Sequence, residues 1–134
     1  MRSKLELNSA NSCCGKRLKV NDIMIIDFDK LPLNVAANFN GGEKEYISRR
    51  FVDENNKIML GTLEPGASIG YHKHETNSEV IYLLEGEGHV LYDDGEEKLL
   101  PGQAHYCPQG HSHSLINRGN ITLRFVAIVP EHHN

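Results

Sequence analysis

Several features that mark other classes of protein are missing from this chain of 134 residues. No apolar stretch approaches the roughly 20 residues that a membrane-spanning helix needs, so we expect no membrane partner. No long basic run occurs and the formal net charge is -4, which argues against nucleic acid as a partner. What remains is the composition of an ordinary single globular domain with one buried core.

Cysteine is scarce and badly spaced for bridging or for metal binding. The chain has three cysteines, of which Cys13 and Cys14 are adjacent and Cys107 stands alone. This pattern is not a disulfide framework, and the lack of any CxxC spacing gives a zinc ribbon little support. We therefore predict a reducing, cytoplasmic location.

Helical periodicity is also absent, and short strands bounded by turn residues take its place. Pro65-Gly66, Asp93-Asp94-Gly95 and Pro101-Gly102 are strong turn signals. We read residues 31–40 as a loop or one helical turn. The predicted strands are residues 23–28, 45–52, 57–63, 69–74, 79–85, 88–92, 96–100, 103–107, 112–117 and 121–129. This pattern predicts an all-β sandwich or barrel.

The predicted domain boundaries follow from a change in residue pattern near residue 23. Residues 1–22 carry five basic and two acidic residues and lack the apolar stretch of a secretory signal. We expect them to form a flexible N-terminal extension. Residues 23–130 form the predicted barrel domain, and residues 131–134 form a C-terminal tail.

Chemistry is concentrated in His72, His74, Glu79 and His113. His72 and His74 share one face of a strand because side chains alternate, and we expect Ser68 and Gly70 on that face to leave space beside them. Three imidazoles and one carboxylate form a ligand set for a first-row transition metal. Four protein ligands leave open positions on a six-coordinate ion, as a catalytic metal requires. Iron, manganese, zinc, nickel and cobalt all suit this set.

A glycine and proline frame surrounds these four residues, and the whole pattern resembles the two signature motifs of the cupin superfamily. The matching residues are Gly66, His72, His74, Glu79, Gly86, Gly102, Pro108, Gly110, His113 and Asn117. The resemblance covers residues 60–128 and is closest to small, single-domain members. It implies a single jelly-roll barrel of the double-stranded β-helix type, usually dimeric, with a metal held inside by His72, His74, Glu79 and His113.

Five further residues are candidates for the pocket, each with an ordinary alternative. Arg49 and Arg50 must point to opposite faces, and either could pair with a substrate carboxylate or lie on the surface. His105 and Cys107 share one face of their strand, but alternation does not decide whether that face is the inner one. Cys107 could be a nucleophile or a small buried residue, and the second role is the more common one for cysteine. His111 fits either the pocket mouth or a solvated turn.

The outer face of the barrel predicts a partner. Val80, Tyr82 and Leu84 alternate with the metal-facing residues of their strand and so point outward. A second sheet layer or a second subunit can cover such an apolar face, and we expect a homodimer.

The resemblance does not fix a reaction. We expect a metal-dependent enzyme of the isomerase, lyase or dioxygenase type, acting on a small oxygen-rich molecule such as a sugar, sugar acid or keto acid. No catalytic residue beyond the ligand set is identified. The alternatives are a non-catalytic module that binds or senses a small ligand, and a protein whose metal only stabilises the barrel.

Overall fold

The computed structural model describes residues 25–133, so the predicted extension over residues 1–22 lies outside the described part. Within it, ten strands and two short 3₁₀ helices account for the regular structure. The helices are Phe28–Lys30 and Phe39–Gly41. The strands are β1 Leu33–Ala37, β2 Glu45–Val52, β3 Asn56–Leu63, β4 Ser68–Lys73, β5 Glu79–Glu85, β6 Gly88–Tyr92, β7 Gly95–Leu99, β8 Ala104–Cys107, β9 Ser112–Ile116 and β10 Leu123–Pro130. No helix in residues 25–133 is long and apolar enough to cross a membrane.

The strands form two antiparallel sheets, as expected for a jelly-roll barrel. The six-stranded sheet has the order β1-β2-β3-β10-β5-β8, and the four-stranded sheet has the order β4-β9-β6-β7. The chain therefore crosses repeatedly between the sheets instead of completing one before starting the other. The predicted all-β jelly-roll class is confirmed.

The core lies between the two sheets. Phe125, Leu83 and Leu63 of the larger sheet and Leu115 of the smaller sheet are fully buried. Burying a side chain of this size stabilises a fold by about 1.5–3 kcal/mol. The packing fixes which face of each strand points inward, and with it the orientation of the polar side chains described below.

Two predictions in the first forty residues are wrong. Residues 25–27 of the predicted strand 23–28 are irregular, because the carboxylate of Asp27 accepts a hydrogen bond from the main-chain N–H of Asp29 and starts the first 3₁₀ helix. Conversely, residues 33–37 form β1, where the sequence pattern predicts a loop or one helical turn. This edge strand is recognisable only through its pairing with β2, since its sequence does not alternate between polar and apolar residues.

An irregularity in β4 changes the predicted faces of that strand. The pairing of β4 with β9 shifts register between Ile69 and His72, so Ile69 lines the same cavity as His72. Gly70 leaves room for the backbone of a neighbouring segment. The prediction that this glycine leaves space beside the histidines is therefore wrong. A Cβ atom added at Gly70 would lie 2.0 Å from the carbonyl oxygen of Asn40. The glycine is thus required by the close approach of the second 3₁₀ helix.

We expect Gly70→Ala to destabilise the protein by about 2–4 kcal/mol, because backbone must move to admit the methyl group. Gly95→Ala is the matched control, since its added Cβ would meet only the carbonyl oxygen of Tyr92, at 3.7 Å. Urea unfolding followed by circular dichroism measures both free energies of unfolding. Equal stabilities for the two variants would contradict this account of Gly70.

Candidate metal centre

Three strands and one loop bring the four predicted ligands together. His72 on β4 lies opposite His113 on β9 in the sheet register. His74 follows β4 directly, and residues 75–78 reverse the chain so that Glu79 begins β5. The ligand atoms of all four residues lie within 4.8 Å of one another. The structure therefore groups the residues that the sequence pattern singled out.

The contacts inside this cluster are short and regular. The Nε2 atom of His74 lies 3.1 Å from Nε2 of His72 and 3.0 Å from Nε2 of His113. The Glu79 Oε1 atom lies 3.1 Å from His74 Nε2 and 2.9 Å from His113 Nε2. Glu79, His74 and His113 are buried, and His72 is half-buried.

Each imidazole is oriented from behind through its other nitrogen. Nδ1 of His72 donates to the carbonyl oxygen of Gly70 at 2.7 Å, and Nδ1 of His74 donates to Oδ1 of Asn77 at 2.6 Å. Nδ1 of His113 lies 2.9 Å from Nε2 of His105. A neutral imidazole that carries its proton on Nδ1 presents a lone pair at Nε2. In that tautomer the three Nε2 lone pairs point to one place beside the carboxylate, whereas a ring of His74 or His113 protonated at Nε2 donates to Glu79 instead.

The electrostatics of the cluster favour an ionised carboxylate. Burial disfavours the charge on Glu79, but hydrogen bonds from His113 and His74 outweigh burial and hold its pKa at about 2. Burial lowers the pKa of His72. Burial acts in the same direction on His74, yet its hydrogen bonds with Glu79 and Asn77 raise its pKa overall. The centre therefore combines one anionic oxygen with three imidazole nitrogens.

This donor set fits a divalent transition metal. Three nitrogen lone pairs that face one another at about 3 Å repel unless a cation lies between them. With metal–nitrogen bonds of about 2.1 Å, adjacent corners of an octahedron lie about 3.0 Å apart, whereas tetrahedral ligands lie about 3.4 Å apart. The 3.0 and 3.1 Å separations match the octahedral value. A six-coordinate ion held by these four residues would have two positions left for a small molecule.

A cavity of about 520 Å³ opens beside the cluster. His72, His74 and Glu79 form one part of its wall. Arg50 and Lys57, from β2 and β3 of the larger sheet, contribute two cationic side chains to the same cavity. The Arg50 guanidinium is held in place by Nε and Nη2, which donate to Ser48 Oγ at 3.2 and 3.0 Å. The cavity thus combines the ligand cluster with positive charge.

The two arginines, which the sequence left undecided, have different environments. Arg50 lines the cavity, whereas Nη1 of Arg49 donates to the carbonyl oxygen of Leu31 at 2.6 Å. Their side chains alternate along β2, as the strand geometry requires. Which one reaches inward depends on the register of β2 within the sheet, and the sequence alone did not give that register.

His105 and Cys107 lie on the inner face of β8, while Tyr106 is 58% exposed. Burial and the neighbouring His113 lower the pKa of His105 to about 4, so its imidazole is neutral near pH 7 and, when its proton is on Nδ1, accepts the proton of His113 Nδ1. Cys107 is fully buried opposite Glu79, and burial raises its thiol pKa to about 11. These properties are typical of a packing residue.

His111 lies in a separate cluster, at the turn between β8 and β9. Its Nδ1 atom is 2.7 Å from Oδ2 of Asp93, and its ring stacks on Tyr92 at 5.7 Å between centroids. The side chain is 44% exposed. This environment favours the solvated-turn interpretation over the pocket mouth.

Sequence reasoning missed Lys57, Asn77 and Glu131. Lys57 lies at a cavity-facing position of β3, and Asn77 orients the ligand His74. Asn77 stands five residues from His72 and two from Glu79, so its place in the short loop between ligands was a usable signal. Glu131 contacts this loop from more than fifty residues away, and no local pattern indicates that contact.

Comparisons with known proteins agree with this architecture. A family profile described as a cupin domain matches residues 59–129. An oxalate-binding protein from Thermotoga maritima is 33% identical over 113 residues, which cover 79% of this chain and 93% of that protein. A tetracenomycin polyketide synthase protein from Streptomyces glaucescens is 34% identical over 70 residues, or 51% of this chain and 47% of that protein.

Solved structures give the same picture. The crystal structure of a predicted oxalate decarboxylase from Thermotoga maritima has a TM-score of 0.76 and 27% identity, covering 81% of this chain and 99% of that chain. A sugar phosphate isomerase from Silicibacter pomeroyi has a TM-score of 0.66 and 22% identity, covering 80% of this chain and 75% of that chain. The second likeness shows the fold alone.

Proposed function

This chain belongs to the cupin family, and on that basis we propose that it binds a small, oxygen-rich anion at a divalent transition metal. The observation that carries the proposal is the presence of Arg50 and Lys57 in the cavity beside the four-ligand cluster. Positive charge at that place selects for ligands that carry a carboxylate.

The metal would be held by His72, His74, Glu79 and His113, with His105 and Asn77 fixing two of the imidazoles from behind. When bound, it supplies a Lewis acid that attracts and polarises oxygen ligands. Three neutral imidazoles and one carboxylate leave a divalent ion with a net charge of about +1, which favours an anion in the open positions.

The ligand we propose is a small dicarboxylate or keto acid with two adjacent oxygen donors, for which oxalate is the simplest example. The oxalate-binding relative supports this choice, and keto acids share the same pair of neighbouring oxygens. The guanidinium of Arg50 provides paired donors for a carboxylate. Its attachment to Ser48 holds it in position before the ligand arrives, which reduces the entropy lost on binding.

Turnover of the same ligand is the second candidate function, and covers the isomerase, lyase and dioxygenase reactions expected from the sequence. Glu75 lines the cavity without belonging to the ligand cluster, so its carboxylate is available to move a proton at a bound substrate. Binding and turnover use the same side chains and differ only in whether the ligand is recovered unchanged.

The partner we propose is a second copy of the chain, docked on the outer face of the larger sheet. On its four adjacent strands β3, β10, β5 and β8, the outward side chains are almost entirely apolar. The apolar ones are Ile58, Leu60, Val80, Tyr82, Leu84, Ala104, Tyr106, Val126, Ile128 and Pro130, and the polar ones, Asn56, Thr62 and Arg124, lie at strand ends. Tyr82 is 45% exposed and Tyr106 is 58% exposed. A face that is apolar across the middle of four strands, with the one charged side chain Arg124 at the end of β10, matches another copy of itself and is costly to expose to water.

The metal is tested with protein freed of metal by a chelator and then given Mn²⁺, Co²⁺, Ni²⁺, Zn²⁺ or, without oxygen, Fe²⁺. We expect one ion per chain and a rise in thermal stability, of about 2.7 kcal/mol at 100 times the dissociation constant. His74→Ala should weaken binding at least about 100-fold, since it removes a ligand. His111→Ala is the matched control and should bind normally. Equal binding by both variants would contradict this ligand set.

The anion is tested by calorimetric titration of metal-loaded protein with oxalate. Arg50→Ala should weaken binding by about 10- to 100-fold, because a charge-assisted hydrogen bond contributes about 1.5–3 kcal/mol. Arg49→Ala removes the same charge from the neighbouring residue and should change affinity less than about threefold. Equal losses would show that only net charge matters. Recovery of unchanged oxalate favours binding, and release of formate or carbon dioxide favours turnover.

The dimer is tested by sedimentation velocity at micromolar protein. We expect a dimer for the natural sequence and a monomer for Tyr82→Glu, because a buried carboxylate without a partner destabilises an interface. Tyr71→Glu is the control, since Tyr71 is 50% exposed on the other sheet. A monomeric natural protein would show that the apolar face does not join two copies.

A further inference from the structure

Residues 130–132 lie against the loop of residues 75–78, which connects His74 to Glu79. Two main-chain hydrogen bonds, of 3.3 and 2.9 Å, join the two segments, and an isolated antiparallel β-bridge pairs Asn77 with Glu131. The loop that separates two of the proposed metal ligands is therefore held by a segment more than fifty residues away in sequence.

A chain of side-chain hydrogen bonds follows the same path. Nδ2 of Asn77 donates to Oε1 of Glu131 at 3.2 Å, and Oδ1 of Asn77 accepts from Nδ1 of His74 at 2.6 Å. The second carboxylate oxygen of Glu131 accepts from the hydroxyl of Thr76. Glu131 is half-buried and does not belong to the ligand cluster itself.

Chemistry fixes which group donates and which accepts at each hydrogen bond between Glu131, Asn77 and His74. An ionised carboxylate only accepts hydrogen bonds, so it can face only the NH₂ end of the Asn77 amide. The amide oxygen must then face His74, and His74 must donate from Nδ1. Without the carboxylate, the amide can rotate by half a turn and present NH₂ to Nδ1, which would place the imidazole proton on Nε2.

We propose that Glu131 is a positioning residue for the metal centre: by fixing the Asn77 amide, it keeps the Nε2 lone pair of His74 aimed at the ion. This inference rests on the proposed metal-binding function, and it adds a residue that touches neither the ion nor a ligand. Residues 130–132, which the sequence reading placed at the end of the barrel and in the tail, thereby become part of the site.

The first test compares Glu131→Leu with Thr76→Val by chelator-competition titration of the metal that the natural protein binds most tightly. Glu131→Leu should weaken binding about tenfold, in line with the effect of losing an outer partner of a ligand. Thr76→Val removes a hydrogen bond between the same two segments but leaves the path to His74 intact, so it should bind within about twofold of the natural protein. Equal losses would mean that Glu131 only braces the loop.

Two further variants test amide orientation directly. Glu131→Gln keeps an oxygen acceptor for Asn77 and should retain affinity within about threefold. The double variant Asn77→Asp with Glu131→Leu places a carboxylate, which has no wrong orientation, behind His74 while the summed charge of the two positions stays the same. It should recover most of the affinity lost in Glu131→Leu. Absence of recovery in this folded double variant would overturn the proposal.

A readout without metal separates this proposal from the one it depends on. In ¹⁵N-labelled, metal-free protein at pH 9, where histidines are largely neutral, two-bond ¹H–¹⁵N spectra report which nitrogen of His74 carries the proton. We expect Nδ1 in the natural protein and in Thr76→Val, and a shift toward Nε2 in Glu131→Leu. This result would stand even if no ion bound, whereas an unchanged tautomer in Glu131→Leu would overturn the positioning role.

Discussion

The site depends on one constraint: three imidazole nitrogens and a carboxylate oxygen converge to about 3 Å separations between two packed sheets. Such a group is unfavourable without a cation, so everything around it acts to hold it in place. The main-chain oxygen of Gly70, the Asn77 amide and His105 each occupy the far nitrogen of one ring. Because these partners come from three different segments, the whole fold, and not one motif, determines where the nitrogens point.

The two faces of the larger sheet serve different purposes. Alternation along β5 places Glu79, Ile81 and Leu83 inward, and Tyr82 and Leu84 outward. The inner face thus combines a polar cluster near one end with a dry core near the other, while the outer face is apolar and exposed. The same period of two residues that builds the site also produces the surface we assign to a second copy.

Much of this arrangement could be predicted from sequence because it is local or strictly spaced. The spacing of His72, His74 and Glu79 and the turn residues around them indicated both the strands and the ligand cluster. The inward choice of Arg50 over Arg49, the register shift in β4 and the contact of Glu131 with Asn77 could not be predicted. Each depends on which strands become neighbours, and pairing across the sheets leaves no mark in a short window of sequence.

The position of β10 in the sheet has a consequence for the order in which the protein matures. β10 lies between β3 and β5 at the middle of the larger sheet, although it is the last strand in the chain. The pair β2–β3, which carries Arg50, and the pair β5–β8, which carries Glu79, therefore cannot join into one sheet until residues 123–130 have been synthesised. His72 and His113 pair within the smaller sheet and do not need β10 to meet, whereas the wall that carries Arg50 joins the strand of Glu79 only through β10. The proposed anion site is therefore completed later in synthesis than the histidine pair of the proposed metal site.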